Sequence, residues 1–188
     1  YALLSLQHPS HCMQLGILSD THGYFHPDLV DALDGVDAIV HAGDVGDLSI
    51  LDGLEAVAPV HAVYGNIDDA STRHRLPEQE RFSFGGLSVW VEHIAGRPGR
   101  WQANMGERLA ADPPDVFVCG HSHILRIERV AELNNMLFVN PGAAGRQGFH
   151  QEKTCLRLTV NDGKATNADV IHLDAAPRAA EPSPETDA

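Results

Sequence analysis

The chain has 188 residues, 43% of them hydrophobic, which is enough for one folded unit with a real core. A net charge of −13 excludes a general nucleic-acid binder or membrane binder, since both need a basic face. No apolar run is long enough to span a bilayer, and the three scattered cysteines, Cys12, Cys119 and Cys155, form no disulfide framework and suit a reducing cytoplasm.

The first twelve residues, YALLSLQHPSHC, lack the basic start and long apolar centre of a secretory signal. Met13 stands directly before the first convincing strand, so residues 1–12 read as an extension upstream of the natural start. Apolar, β-branched runs follow at Leu15–Leu18, Ala38–Val40 and Val60–Val63. Between them, HPDLVDALDG reads as a helix with Pro27 in its first turn and Gly35 at its end. DLSILDGLEAV reads as a second helix capped by Asp47. Strand, helix, strand, helix, strand predicts a parallel sheet with right-handed crossovers.

The second half is richer in strands. RFSFGGLSVWVEH predicts a hairpin turning at Gly85-Gly86, with Leu87–Val91 as its second arm. PGRWQANMGERLAADPP predicts a helix stopped by Pro113-Pro114. Val116–Val118, ILRIERV, MLFVN, TCLRLTV and ATNADVIHL complete the strands, the last two joined by the hairpin signal NDGK. One α/β domain over 13–173, with a mixed or second sheet in its C-terminal half, accommodates this order. The last stretch, 174–188, is rich in Ala, Pro and acid and reads as a disordered acidic tail.

Potential ligands collect after the apolar runs. Asp20 and His22 follow the first, His41 and Asp44 the second, and Asn66 and Asp68 the third. His93 follows Leu87–Val91, and His121 and His123 follow Val116–Val118. In an open α/β sheet the loops beyond the carboxyl ends of the strands form the ligand crevice, so these groups should converge. Residues two apart in extended chain face one side, which pairs Asp20 with His22 and His121 with His123. Oxygen from Asp and Asn with nitrogen from His suits a transition metal. Cys119 reads as the inward-pointing end of its strand.

SDTHG, HAGD, GN, a lone His after a strand, and GHSH occur here in that order. This series resembles the calcineurin-like metallophosphoesterase superfamily, and most of all its small bacterial and archaeal phosphodiesterases, from about Gln14 to His172. The resemblance implies a four-layer αββα sandwich of two mixed β-sheets flanked by helices. It implies one metal held by Asp20, His22, Asp44 and His123, and a second by Asn66, His93, His121 and the shared carboxylate of Asp44. Manganese is the expected ion, with nickel, cobalt, iron or zinc as alternatives. The activity implied is hydrolysis of a small phosphodiester by a hydroxide bridging the two metals. Asp44 and Asn66 are then the catalytic pair, and Asn66 steadies charge on the phosphoryl oxygens. No further cofactor, no membrane and no nucleic-acid partner is implied.

Two departures from the family pattern stand out. Many members carry a histidine after the Asn of GN, proposed to protonate the leaving group. Here that position is Ile67. The residues around His93 read EHIAG where the small phosphodiesterases commonly show T-H-G-H. Two other functions compete with the phosphodiesterase. One is a binding scaffold like the retromer subunit of this fold, in which a key histidine is replaced. The other is a phosphomonoesterase or nucleotidase. Outside the motifs, His41 reads as a supporting residue and Asp68 as an orienting one. His26, His61, His74, His150 and His172 read as surface or loop residues and Asn140 as part of a tight turn. Arg97 and Arg100, close after His93, could meet a substrate phosphate but read better as solvated loop charges. An apolar strand edge or the Trp90 and Trp101 region is the candidate contact for a homo-oligomer.

Overall fold

A computed structural model describes residues 12–148 and 152–174. Nearly all of the expected extension and tail, together with His150, lies outside the described residues.

The first half alternates as its pattern predicts: β1 (Met13–Leu18), α1 (Leu29–Ala32), β2 (Ala38–His41), α2 (Ser49–Glu55), β3 (Val60–Ala62) and α3 (Ala70–Arg75). The strands β4 (Gln79–Phe84) and β5 (Leu87–Glu92) form the hairpin at Gly85-Gly86. Two-residue strands β6 (Gly96–Arg97) and β7 (Arg100–Trp101) precede α4 (Met105–Ala111). Then come β8 (Val116–Val118), β9 (Arg126–Val130), β10 (Met136–Asn140), β11 (Lys153–Asn161) and β12 (Lys164–Leu173). Asp162 and Gly163 turn β11 into β12 with φ of 49° and 69°, the paired positive values of a type I′ turn.

Two five-stranded mixed sheets result, in the orders β12-β11-β1-β2-β3 and β4-β5-β8-β10-β9. Strand alternation builds three apolar layers from them. Leu15, Ile17 and Val40 of the first sheet meet Val89, Val118 and Val139 of the second in a central core. The opposite face of the first sheet buries Ile39 and Cys155 against Leu29, Leu33 and Leu54 of the α1 and α2 regions. The opposite face of the second buries Trp90, Phe117 and Phe138 against Met105 and Leu109 of α4. Helix, sheet, sheet, helix is the αββα sandwich. Each fully buried aliphatic side chain in these layers contributes about 1.5–3 kcal/mol.

Several details differ from the sequence expectation. The first helix is one turn long and begins at Leu29, with Pro27 and Asp28 in the preceding turn. Asp47 lies two residues before the start of α2, beyond Leu48 at the cap position; its Oδ1 accepts the Ser49 N–H at 2.8 Å. The unforeseen α3 is capped by Asp69, whose Oδ1 accepts from Thr72 N at 2.9 Å. Trp90 is no exposed contact: it is 2% exposed, with the Arg81 guanidinium 3.7 Å from its ring centre. Asp174, assigned by composition to the tail, accepts from Lys153 and from His26 Nε2. His26 is therefore a buried residue, not a surface one.

The topology fixes where a site forms. β1, β2 and β3 run parallel, as do β5, β8 and β10. Asp20, His22, Asp44, Asn66, His93, His121 and His123 all lie just past the carboxyl ends of these strands.

Candidate metal centre

The loops that carry these residues continue the strand pairing past the sheet. Asp20 N donates to Gly43 O at 3.0 Å, His22 N to Asp44 O at 3.0 Å, and Gly23 N to Val45 O at 2.8 Å. The loop after β8 is tied to the one after β1, since His121 N donates to both carboxylate oxygens of Asp20 at 3.1 and 3.2 Å. Asp20, His22, Asp44, His121 and His123 all adopt left-handed backbone, with φ between 49° and 66°. That conformation is uncommon for residues with a Cβ, and its clustering marks a site whose geometry the surrounding structure imposes.

Two groups of side chains converge. In the first, His123 Nε2 lies 3.1 Å from Asp20 Oδ1 and 3.3 Å from His22 Nε2. In the second, Asp44, His93 and His121 come together, with His93 Nε2 3.2 Å from Asp44 Oδ1. Asn66 joins this group, its Oδ1 3.2 Å from His93 Nε2. Asp44 faces both groups, for its Oδ2 lies 3.9 Å from His22 Nε2. The donor set fits divalent cations. Nitrogen and oxygen atoms about 3 Å apart are spaced as the ligands of one ion would be. His93 is also oriented for the task. Its Nδ1 sits 2.7 Å from the Ala42 carbonyl, which only accepts, so Nδ1 carries a proton and Nε2 is turned to the cluster.

The electrostatics follow from crowding. Burial works against the charged form of Asp44, but the hydrogen bond and charge of His93 and the Ile67 N–H outweigh it, holding its carboxyl below the usual range. Burial likewise opposes protonation of His93, yet Asp44 and Asp20 raise it above the ordinary imidazole value. His123 is raised by its hydrogen bond to Asp20. His22 is lowered because desolvation exceeds the pull of Asp44 and Asp20.

The calcineurin-like phosphoesterase superfamily domain matches residues 13–163 of this chain. The chain belongs to that superfamily. It is 36% identical over 174 residues to a probable metallophosphoesterase of Methanothermobacter thermautotrophicus, covering 87% of this chain and 94% of the relative. It is 34% identical over 140 residues to a probable metallophosphoesterase of Methanocaldococcus jannaschii, covering 70% of this chain and 68% of that one. Among solved structures, the fold resembles a predicted phosphoesterase of Streptococcus pneumoniae at a TM-score of 0.65 and 21% identity, covering 87% of this chain and 91% of the other. It also resembles wild-type Vps29 of Entamoeba histolytica complexed with zinc, at a TM-score of 0.62 and 19% identity, covering 86% and 100%.

In this metallophosphoesterase, residues outside the two groups position those within. A Cβ on Gly43 would sit 2.6 Å from the His93 ring, and one on Gly65 would sit 2.1 Å from Asp44 Oδ1, so both positions need glycine. Asp68 accepts the backbone N–H groups of Val45, Gly46 and Gly65, fastening the loop of Asp44 to the loop of Asn66. Asn140 does the same for the second sheet. Its Nδ2 donates to Gly120 O at 2.8 Å and Ser122 Oγ at 3.1 Å, bracing the loop of His121 and His123. Sequence reasoning saw only a turn there. His41 stays out of both groups; it is buried, its Nε2 2.9 Å from Thr21 Oγ1, and burial pushes its pKa down to about 4. Cys119 is buried with its thiol pushed up to about 12, far from the thiolate a metal would need. No helix among the described residues is long and apolar enough to cross a membrane.

Proposed function

We propose that this chain is a dinuclear metal-dependent phosphodiesterase acting on small phosphodiesters. The carrying observation is the Asp44 carboxylate, which turns one oxygen to each of two groups of nitrogen and oxygen donors. Asp20, His22 and His123 hold one cation and Asn66, His93 and His121 the other, with Asp44 shared. When bound, the cations supply Lewis acidity toward the phosphoryl oxygens and acidify water. Asn66 places its amide beside His93, where it steadies charge on a phosphoryl oxygen. Ile67 uses its backbone N–H to fix Asp44 Oδ1 at 3.0 Å, while its side chain is exposed on the rim.

An isoleucine donates no proton, so departure of the leaving group is unassisted at that position. General acids contribute roughly 10²–10⁴-fold elsewhere. The proposed substrate is therefore a diester with a good leaving group, an aryl ester serving as the laboratory case. The rim suits such a group, since Ile67, Ile94 and Ile124 each follow a candidate ligand and are each exposed. The scaffold reading draws on the likeness to Vps29, but a complete donor set favours the enzyme. Unpaired Cys12, Cys119 and Cys155 favour a reducing cytoplasm.

The test begins with metal-stripped protein. Mn²⁺, Ni²⁺, Co²⁺ or Mg²⁺ is then restored singly, with thermal melting and hydrolysis of bis(p-nitrophenyl) phosphate as readouts. Stabilisation and turnover by Mn²⁺ are expected, and rates should fall steeply as the leaving group becomes more basic. Stabilisation with no turnover of diesters or monoesters would favour the scaffold.

A further inference from the structure

Beside the candidate metal centre lies an open cavity of about 790 Å³ that reaches it along Gly120 and His121. Its wall is charged in one sense only. Arg97, Arg100 and Arg126 line it, and no carboxylate does. The chain has 26 acidic residues against 13 basic ones, so this concentration of arginine runs against composition.

The three arginines are not equivalent. Arg126 donates from Nε to Glu128 Oε1 at 2.6 Å and is neutralised by its neighbour. Arg97 and Arg100 have no ion-pair or side-chain hydrogen-bond partner among the described residues. They stand directly opposite each other across the β6–β7 hairpin. Like charges in that relation repel, and each has lost the easy remedy of a nearby acid. A bound anion relieves the repulsion and satisfies both guanidinium forks, which match phosphate oxygens in pairs. Elsewhere the wall mixes the polar groups of Gln102, Ser122 and Asn140 with Trp101, Ile124 and Phe138, whose side chains give a surface suited to a planar ring.

We propose that the cavity receives the organic part of the substrate and that Arg97 and Arg100 bind a second phosphate carried on it. The substrate class is then a nucleotide-like phosphodiester bearing an additional phosphomonoester. This rests on the phosphodiesterase reading above. The reacting diester sits at the Asp44 cluster, the ring lies along the Trp101 wall, and the second phosphate meets the hairpin. The second phosphate is a specificity element and takes no part in bond breaking.

The experiment is calorimetric titration of Mn²⁺-loaded protein with a nucleoside bisphosphate and with the matching monophosphate. The bisphosphate should bind at least about tenfold more tightly, and the double variant Arg97→Gln/Arg100→Gln should erase that difference while changing monophosphate affinity by less than about twofold. The variant Arg97→Lys/Arg100→Lys, which keeps the charge, should restore part of it. No preference for the bisphosphate in the wild type, or equal weakening of both ligands in the double variant, would overturn the proposal. Turnover of bis(p-nitrophenyl) phosphate, which has no second anion, separates the two readings. Its absence with a retained bisphosphate preference would refute the phosphodiesterase and leave the anion subsite standing.

Discussion

The two sheets make unequal contributions to the candidate metal centre. The first delivers the oxygen donors, Asp20, Asp44 and Asn66, from the loops after β1, β2 and β3, with one imidazole, His22. The second delivers imidazoles alone, His93 after β5 and His121 and His123 after β8. Neither sheet holds a complete group. Asp20 and His22 need His123 from across the sandwich, and His93 and His121 need Asp44. The central core therefore does more than stabilise the fold, because its packing sets the distance between oxygen and nitrogen. Each side keeps its own loops in order, through Asp68 in the first sheet and Asn140 in the second.

The largest effect comes from removing the one residue that serves both groups. Asp44→Asn keeps the shape but discards a charge and one acceptor oxygen. We expect hydrolysis of an aryl phosphodiester to fall by at least about 10³-fold, the scale of losing a principal charge-stabilising group. Circular dichroism should show the fold intact. Turnover retained in a folded variant would undo the shared role of Asp44.

A pair of core lesions tests whether the sheets must stay in register for the donors to meet. Ile17 is fully buried between the sheets, and Leu54 is fully buried between α2 and the outer face of the first sheet. Replacing either by alanine should cost about 2–5 kcal/mol in chemical denaturation. Only Ile17→Ala should also weaken Mn²⁺ binding, because only that cavity lies between the oxygen side and the nitrogen side. Equal loss of metal affinity in both variants would show that global loosening, not inter-sheet spacing, is what the site feels.

The legible part of this architecture was local. Apolar runs ending in Asp, His or Asn marked the loops whose side chains converge, because strand alternation and loop position are properties of short segments. Asp162-Gly163 likewise declared its hairpin. What escaped depended on partners far along the chain. His26 looked like a surface residue because the carboxylate it bonds, Asp174, is 148 residues away. Asn140 looked like a turn because Gly120 and Ser122, which it braces, belong to another strand's loop. Arg97 and Arg100 are exposed, as expected, but two-residue strands leave no periodic signal, so the hairpin that sets them against each other was invisible. The cap at Asp69 was present in the sequence and was passed over because α3 is only six residues long.

The smallest expected effect separates a supporting residue from a ligand on the first sheet. His41 ends β2 three residues before Asp44, yet it turns away from the cluster toward Thr21. Burial lowers its pKa from 6.5 to about 4, so the unfolded chain binds a proton that the folded chain refuses between those values. Stability contributed by the neutral ring is fully present above pH 6.5 and is lost as pH falls toward 4. At 1.36 kcal/mol per pKa unit the loss is at most about 3 kcal/mol. Urea denaturation of metal-stripped protein across that range should show this slope, and His41→Gln should flatten it while leaving Mn²⁺ affinity at neutral pH unchanged. A loss of metal affinity in that variant would instead bring His41 into the site and add a second imidazole to the oxygen-donating sheet.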